Sequence, residues 1–297
     1  MTDTRLRVGL VGAGPWAHKV HAPGIAAHSG TELAAVWARR PDAAASVAAL
    51  GGGTPVDTFD DLLATVDAVT FAVPPAVQGP LALRAVAAGK HVILEKPIAA
   101  TVAEAEALVD AIERAGVASL MMLTFRYARE TVKWLTQVHR TGGWEGGAAR
   151  WMSATLLDAK YADSQWRHDG GALADIGPHV FDMLDAALGT ITEVLAAHRT
   201  GPDLWHVLLG HEGGRTSAST LTMHTPAVPP VNDFTVHGTN GCLTFDASGS
   251  PQDRYSNLLD EFVALIVARR AEHPLDARRG LHVQRVLEKI TTSLRTT

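Results

Sequence analysis

The chain has 297 residues, of which 46% are hydrophobic and 19% charged; this is enough apolar material for two packed domains and excludes wholesale disorder. The 26 basic and 31 acidic side chains give a formal net charge of -5, so no nucleic-acid partner is expected. Cys242 is the single cysteine, which excludes an intrachain disulfide framework or thiolate zinc site and fits a reducing compartment. No apolar run approaches the roughly 18 residues of a spanning helix. The first apolar run breaks at Gly12-Ala13-Gly14-Pro15, unlike a signal peptide. The expectation is a soluble, cytoplasmic protein with no membrane partner.

The first 123 residues alternate strand and helix signals. Leu6–Val11 is a short apolar run ending in glycines, and Pro15 to about His28 reads as a helix. Leu33–Ala38 is a second strand. Pro41 suits the first position of a helix to Leu50, which Gly51-Gly52-Gly53 ends. Asp67–Val73 is another apolar run, closed by Pro74-Pro75. A helix over Gly79–Ala88 stops at Gly89, and His91–Leu94 is again a strand. Thr101 caps a helix to Ala115, with Glu104 placed for a capping box, and Val117–Leu123 is the next strand. This alternation predicts parallel βαβ units and a doubly wound sheet.

Beyond Leu123 the texture changes. Phe125–Arg140 reads helical. Ala148–Leu156, Leu204–Leu209, Thr216–Met223 and Phe234–Val236 show period 2, the last before a turn at Gly238-Thr239-Asn240-Gly241. Helices are predicted over Ala172–Leu188, Asn257–Arg270 and Ala277–Leu294. Strands joined by turns predict an antiparallel or mixed sheet, so the chain divides near Leu123 into a doubly wound domain over 1–123 and an α+β domain over 124–297, whose last helix has room to pack back on the first domain.

Gly12-Ala13-Gly14-Pro15-Trp16-Ala17 follows the first strand and opens the first helix. Gly12 permits the tight turn, Gly14 lets a pyrophosphate approach the backbone, and the small Ala17 allows close helix–strand packing. An NAD site usually carries an acid at the end of the second strand, about 20 residues on. Here the chain reads Trp37-Ala38-Arg39-Arg40-Pro41. Two guanidiniums suit a 2′-phosphate, so NADP is expected, with NAD as the alternative. A solvated Arg pair before a helix is the competing reading of Arg39 and Arg40.

Glu95-Lys96-Pro97 ends a parallel strand, where ligands of such sheets bind. Much later come Trp166-Arg167 and then Gly170-Gly171-Ala172-Leu173-Ala174-Asp175-Ile176-Gly177-Pro178-His179. Together with Gly12-x-Gly14-x-x-Ala17 and Gly89-Lys90-His91-Val92, these motifs closely resemble the Gfo/Idh/MocA oxidoreductase family, which includes glucose–fructose oxidoreductase and inositol 2-dehydrogenase. The resemblance implies a dinucleotide-binding Rossmann domain over 1–123 followed by an α/β domain built on an open, mostly antiparallel sheet that commonly forms an oligomer interface, hence a homodimer or homotetramer. It implies hydride transfer between a nicotinamide and a hydroxyl or carbonyl carbon of a sugar, inositol or sugar-like substrate. Lys96 matches the catalytic lysine of the family, and Asp175 and His179 match the acidic and histidine members of its site. Pro74 and Glu95 join Gly12, Gly14, Pro15, Trp16, Ala17, Arg39, Arg40 and Lys96 as expected cofactor contacts. One departure is Gln78, where many relatives carry a histidine behind the Pro-rich turn; Gln does not titrate.

Asp175 and His179 are four residues apart and share a face if the helix is continuous, with Asp169 as its N-cap. Pro178 should kink that helix or shift its start. A His suits proton exchange with a hydroxyl, and a carboxylate would orient it. Whether Lys96 or His179 is the principal acid/base stays open. Arg126, Tyr127, Trp166, Arg167 and His179 are the substrate-side candidates. The bland alternatives are a core Trp166 and an Arg167 paired with Asp163 or Asp169. Trp16 and His21 either edge the nicotinamide pocket or pack the first helix. His206, His211, His224 and His237 lack tight ligand spacing, so no required metal is expected. Two rival functions remain: a non-catalytic dinucleotide-binding sensor on the same fold, and an enzyme passing hydride between two substrates through a retained NADP.

Overall fold

A computed structural model describes residues 5–159, 164–247 and 249–294. The chain divides into two units. The first runs to residue 124 and takes in 250–281; the second comprises 125–249 and the chain from 282. The chain first passes from one unit to the other between residues 124 and 125. The return of 250–281 to the first unit differs from the sequence division, which left that stretch in the second domain. Its physical basis is the apolar face of the helix Pro251–Val267, whose Leu258, Leu259 and Phe262 are fully buried within the first unit.

The first unit is built on a six-stranded parallel sheet of order β3-β2-β1-β4-β5-β6. The strands are β1 (Leu6–Val11), β2 (Thr31–Trp37), β3 (Thr54–Pro55), β4 (Ala68–Phe71), β5 (His91–Leu94) and β6 (Ser119–Met121). All of Ala68–Phe71 and Val92–Leu94 are buried, the continuous apolar pattern of strands covered on both faces. The covering helices are α1 (Ala22–Ala27), α2 (Pro41–Gly51), α3 (Phe59–Thr65), α4 (Pro75–Ala87), α5 (Val102–Ala115) and α9 (Pro251–Val267). α5 buries Ala105, Leu108, Val109 and Ile112, one helical face. Chain order reverses between β1 and β4, so the crevice at the carboxyl ends of these strands is the topological switch point of the sheet.

Several elements depart from expectation. α3 and β3 are additional. α4 starts at Pro75 and accommodates Pro80. Thr101 does cap α5 by accepting from Glu104 N, but the Glu104 carboxylate accepts from Ala100 N, so the box is not reciprocal. A full reciprocal box instead joins Thr58 and Asp61 at the start of α3.

The second unit carries a six-stranded mixed sheet of order β12-β11-β7-β10-β9-β8. Its strands are β7 (Trp144–Met152), β8 (Ile191–Thr200), β9 (Leu204–His211), β10 (Thr216–Thr222), β11 (Val231–Gly238) and β12 (Gly241–Asp246). Among the described residues of this sheet, only β7 and β10 pair in parallel. The expected turn at 238–241 joins β11 and β12 as a hairpin. One face of the sheet packs against α6 (Arg129–Thr141) and α8 (Gly177–Leu188), around Phe181, Leu184, Leu209, Leu221, Phe234 and Val236. α6 buries Thr131, Trp134, Leu135 and Val138, again the i, i+3, i+4, i+7 stripe. α7 (Gln165–Asp175) precedes α8, and α10 (Ala277–Ser293) closes the described chain.

Candidate active site

β1 delivers the chain to Gly12, whose φ of 114° lies in the region that favours glycine. A Cβ there would run into the carbonyl oxygen of Ala72, beyond β4. Gly14 faces open space, with nothing within 4 Å of where its Cβ would stand. The helix then opens with a π-helical turn, Ala17–His21, leading into α1. The tight turn, the open approach over Gly14 and the following helix together fit a dinucleotide pyrophosphate. Arg39 and Arg40 are exposed beyond the end of β2, and Pro74 caps α4 at the end of β4.

Glu95 and Lys96 follow β5 and are both half-buried. Gln78, on α4 and fully buried, clamps this segment. Its side-chain oxygen accepts from Glu95 N at 2.8 Å, and its amide donates to Glu95 O at 2.8 Å and Ile98 O at 2.9 Å. The residue that departs from the family pattern is therefore a brace for the Lys96 segment. The Glu95 carboxylate takes the Lys96 backbone N–H at 3.3 Å on Oε2 and faces His21 Nε2 at 3.2 Å on Oε1. His21 Nδ1 lies 3.0 Å from Thr70 Oγ1. His21 is thus a packed, fully buried residue of the first unit, wired to Glu95.

In the second unit the stretch predicted as helix over Ala172–Leu188 is divided, and its second part starts beside Pro178. α7 ends at Asp175 and α8 begins at Gly177, so Asp175 and His179 straddle a helix junction rather than sharing one helical face. Pro178 sits in the first turn of α8, where its missing N–H costs nothing. Asp169 is not an N-cap; it lies inside α7, where it accepts from Gln165 Nε2 at 2.8 Å. The helix direction is reset instead at Gly171, with φ of 58°, where a Cβ would strike Asp203. Asp203, in the β8–β9 turn and 1% exposed, takes Ala172 N at 2.8 Å on Oδ1 and 3.0 Å on Oδ2, Trp205 Nε1 at 3.2 Å and Met223 N at 3.1 Å. It caps the second half of α7 in the place expected of Asp169.

Arg167 Nε donates to Asp175 Oδ2 at 3.0 Å, and its Nη1 donates to Ser164 Oγ at 3.0 Å. The guanidinium also lies 4.5 Å over the Trp166 ring. Arg167 is therefore paired with Asp175 rather than Asp169, while Asp163 lies outside the described residues. His179 is buried, with Trp151 stacked at 5.8 Å and Phe125 edge-on at 5.3 Å. Arg126 Nη1 donates to the buried Asp182 at 3.2 Å, and Tyr127 is buried at 2% exposure. Thr70, Asp203 and Trp151 had not been singled out from sequence. Trp151 is visible there only as one aromatic in an alternating strand. Among the described residues no group of three or more His, Cys, Asp or Glu is placed to hold a metal ion.

A family model described as an oxidoreductase family with NAD-binding Rossmann fold matches residues 6–123, and one described as the GFO/IDH/MocA C-terminal domain matches residues 145–244. The chain belongs to the Gfo/Idh/MocA oxidoreductase family. The dTDP-3,4-didehydro-2,6-dideoxy-alpha-D-glucose 3-reductase of Streptomyces violaceoruber is 32% identical over 262 residues, 84% of this chain and 75% of that protein. Two solved structures share the fold. A levoglucosan dehydrogenase in complex with NADH and levoglucosan has TM-score 0.88 at 18% identity, covering 99% of this chain and 98% of that one. A 3-ketoreductase from Actinomadura kijaniata with NADP and TDP-benzene has TM-score 0.83 at 22% identity, covering 98% of each.

As a Gfo/Idh/MocA oxidoreductase, the protein is an enzyme with a nicotinamide-dinucleotide-binding Rossmann unit. Two parts of its chain offer proton-handling groups. The first unit holds Lys96 on a segment braced by Gln78. The second holds Asp175, charge-paired with Arg167, and His179 between two aromatic rings.

Proposed function

We propose that this enzyme is an NADP(H)-preferring oxidoreductase that interconverts a hydroxyl and a ketone on a sugar or sugar-like substrate. The observation that carries this reading is the Glu95-Lys96 segment at the carboxyl end of β5, in the same sheet whose β1 ends in the dinucleotide turn. Similar proteins lend support: the Streptomyces violaceoruber relative is named for a deoxysugar nucleotide and a structural neighbour for levoglucosan. The acid-free end of β2, with Arg39 and Arg40 exposed, supports a preference for the 2′-phosphate.

When bound, the cofactor supplies a hydride acceptor or donor at the nicotinamide ring. The Gly12–Ala17 turn holds the pyrophosphate, with Pro15, Trp16, Pro74 and Glu95 as further cofactor contacts. Lys96 and His179 are the proton-exchanging groups for the substrate hydroxyl. Asp175 is the acidic member of the site, and Arg126, Tyr127, Trp166 and Arg167 bind substrate oxygens and ring faces. Leu195 and Leu208, 45% and 39% exposed, lie on strands of the second sheet, consistent with a homodimer or homotetramer formed through that sheet.

The test is a panel of sugars, inositols and keto-sugars assayed with both NADP(H) and NAD(H) by absorbance of the reduced nicotinamide. Turnover of a sugar-like compound with lower KM for NADP(H) is the expected result. Turnover confined to compounds without a polyol or keto-sugar group would overturn the substrate class.

A further inference from the structure

We propose that His21 is a positioning residue for Lys96, acting through the carboxylate of Glu95; this rests on the reading of Lys96 as a proton-handling group. The ring of His21 closes the π-helical turn and is wholly buried. Its neighbours Val20, Ala22 and Ile25 are equally buried and apolar, so a leucine-like side chain would pack here without the cost of desolvating two ring nitrogens. The imidazole is accounted for by its bonds instead.

Those bonds have a direction. A carboxylate only accepts, so Nε2 of His21 donates to Glu95 Oε1 in either charge state of the ring. Nδ1 is held by Thr70 Oγ1 at 3.0 Å. On the far side the ring meets Tyr255 of α9, with centroids 5.0 Å apart. Burial pushes the Tyr255 phenol pKa well above its ordinary value, with the Thr70 hydroxyl opposing and the Glu95 charge adding, so this neighbour stays neutral.

The far end of the chain of contacts is Lys96. Glu95 Oε1 is taken by His21 and Oε2 by the Lys96 backbone N–H, while Gln78 grips the Glu95 backbone on both sides. The carboxylate cannot rotate without giving up both bonds. It is fixed one residue before Lys96, with Oε2 on the Lys96 backbone N–H, and so sets the backbone from which the Lys96 side chain departs. Around the His21–Glu95 pair, Thr70 from β4 meets His21 Nδ1, Tyr255 from α9 meets the His21 ring and Gln78 from α4 meets the Glu95 backbone. Without His21, Oε1 loses its buried donor and the carboxylate turns outward, releasing the Lys96 backbone N–H.

The chain has six lysines, so after reductive 13C-methylation of the full-length protein the Lys96 signal is the one missing from Lys96→Met. In His21→Leu and Glu95→Gln the Lys96 methyl signal is expected to move or broaden relative to the parent protein, because the segment that carries it is released. In His21→Gln, whose amide still donates to Glu95, it is expected to keep its wild-type position. If His21→Leu does not fold, Thr70→Val, which releases the other ring nitrogen, replaces it and is expected to displace the signal the same way. An unchanged signal in the folded His21 or Thr70 variant and in Glu95→Gln would overturn the proposal. Normal turnover by Lys96→Met in the substrate panel would end the catalytic reading of Lys96 whatever the spectra give, so the two failures are distinguishable.

Discussion

Arg167 and Asp175 are joined at 3.0 Å although eight residues separate them on α7. Along a straight helix that spacing is about 12 Å of rise. The bend at Gly171 is what lets the guanidinium reach the carboxylate, so the pair reports the bend as well as the charge balance.

Removing one partner leaves the other desolvated. The Asp175 side chain is 10% exposed and Arg167 21%. Arg167→Ala is expected to cost about 1–3 kcal/mol in urea denaturation. Asp175→Asn combined with it should cost less than the two single changes together, because the second change removes a charge the first has stranded. Strict additivity in the double-mutant cycle would show that the pair contributes no coupling.

Lys96→Met and His179→Ala are each expected to lower turnover by roughly 10²–10⁴-fold, the range of general acid–base catalysis. NADPH affinity, read by fluorescence, should change far less, because the Gly12–Ala17 turn is untouched. If both residues serve one proton transfer, the double variant will be little worse than the weaker single one. Near-normal turnover by both single variants would remove them from the chemistry.

Arg39→Ala and Arg40→Ala test the cofactor preference. Losing a guanidinium that contacts the 2′-phosphate is expected to weaken NADPH by about 1.5–3 kcal/mol and NADH hardly at all. Equal affinities for NADPH and NADH in the parent protein, unchanged in both variants, would refute the preference.

His211 gives a pH dependence of stability. Its pKa lies below the ordinary 6.5 because burial disfavours the cation and Arg215 adds to this, against the Gly189 carbonyl and Asp185. A neutral ring suits its bonds: Nδ1 reaches Gly189 O at 2.7 Å and Nε2 reaches Ser217 Oγ at 2.8 Å. The unfolded chain therefore binds the proton first. The stability contribution is full above about pH 6.5 and is lost as pH falls through the lower folded value, with a slope of at most about 1.4 kcal/mol per pH unit. Urea midpoints measured between pH 7.5 and 5 should fall less steeply in His211→Gln than in the parent. An identical slope would exclude this source.

The parallel sheet was legible because its strands are continuous apolar runs punctuated by Gly and Pro, as at Val8–Gly12 and Ala68–Pro74. The strand β8 escaped notice for a local reason: irregularities between Ile191 and Glu193 and between Val194 and Ala196 break its period-2 pattern. The dinucleotide turn and the Lys96 segment declare themselves by short spacing. The bend at Gly171 does not, because its cap is Asp203, 31 residues from the Ala172 amide it accepts from. Gln78 was visible only as a departure from its relatives; that it braces Glu95 and Ile98 follows from contacts 17 and 20 residues away. The aromatic walls of His179, Trp151 and Phe125, are likewise assembled by the fold and leave no local signature.

Asp203 collects donors from α7, from β9 and from the chain just after β10. One carboxylate thus acts as a keystone for three stretches that the sequence keeps far apart. Protein engineers who graft new residues onto the front half of α7 to alter selectivity would be working on one side of an anchor, with Asp175 and His179 on the other. The anchor itself is the position to leave alone: a bulkier residue at Gly171 or a neutral one at 203 would move the mounting of both groups at once.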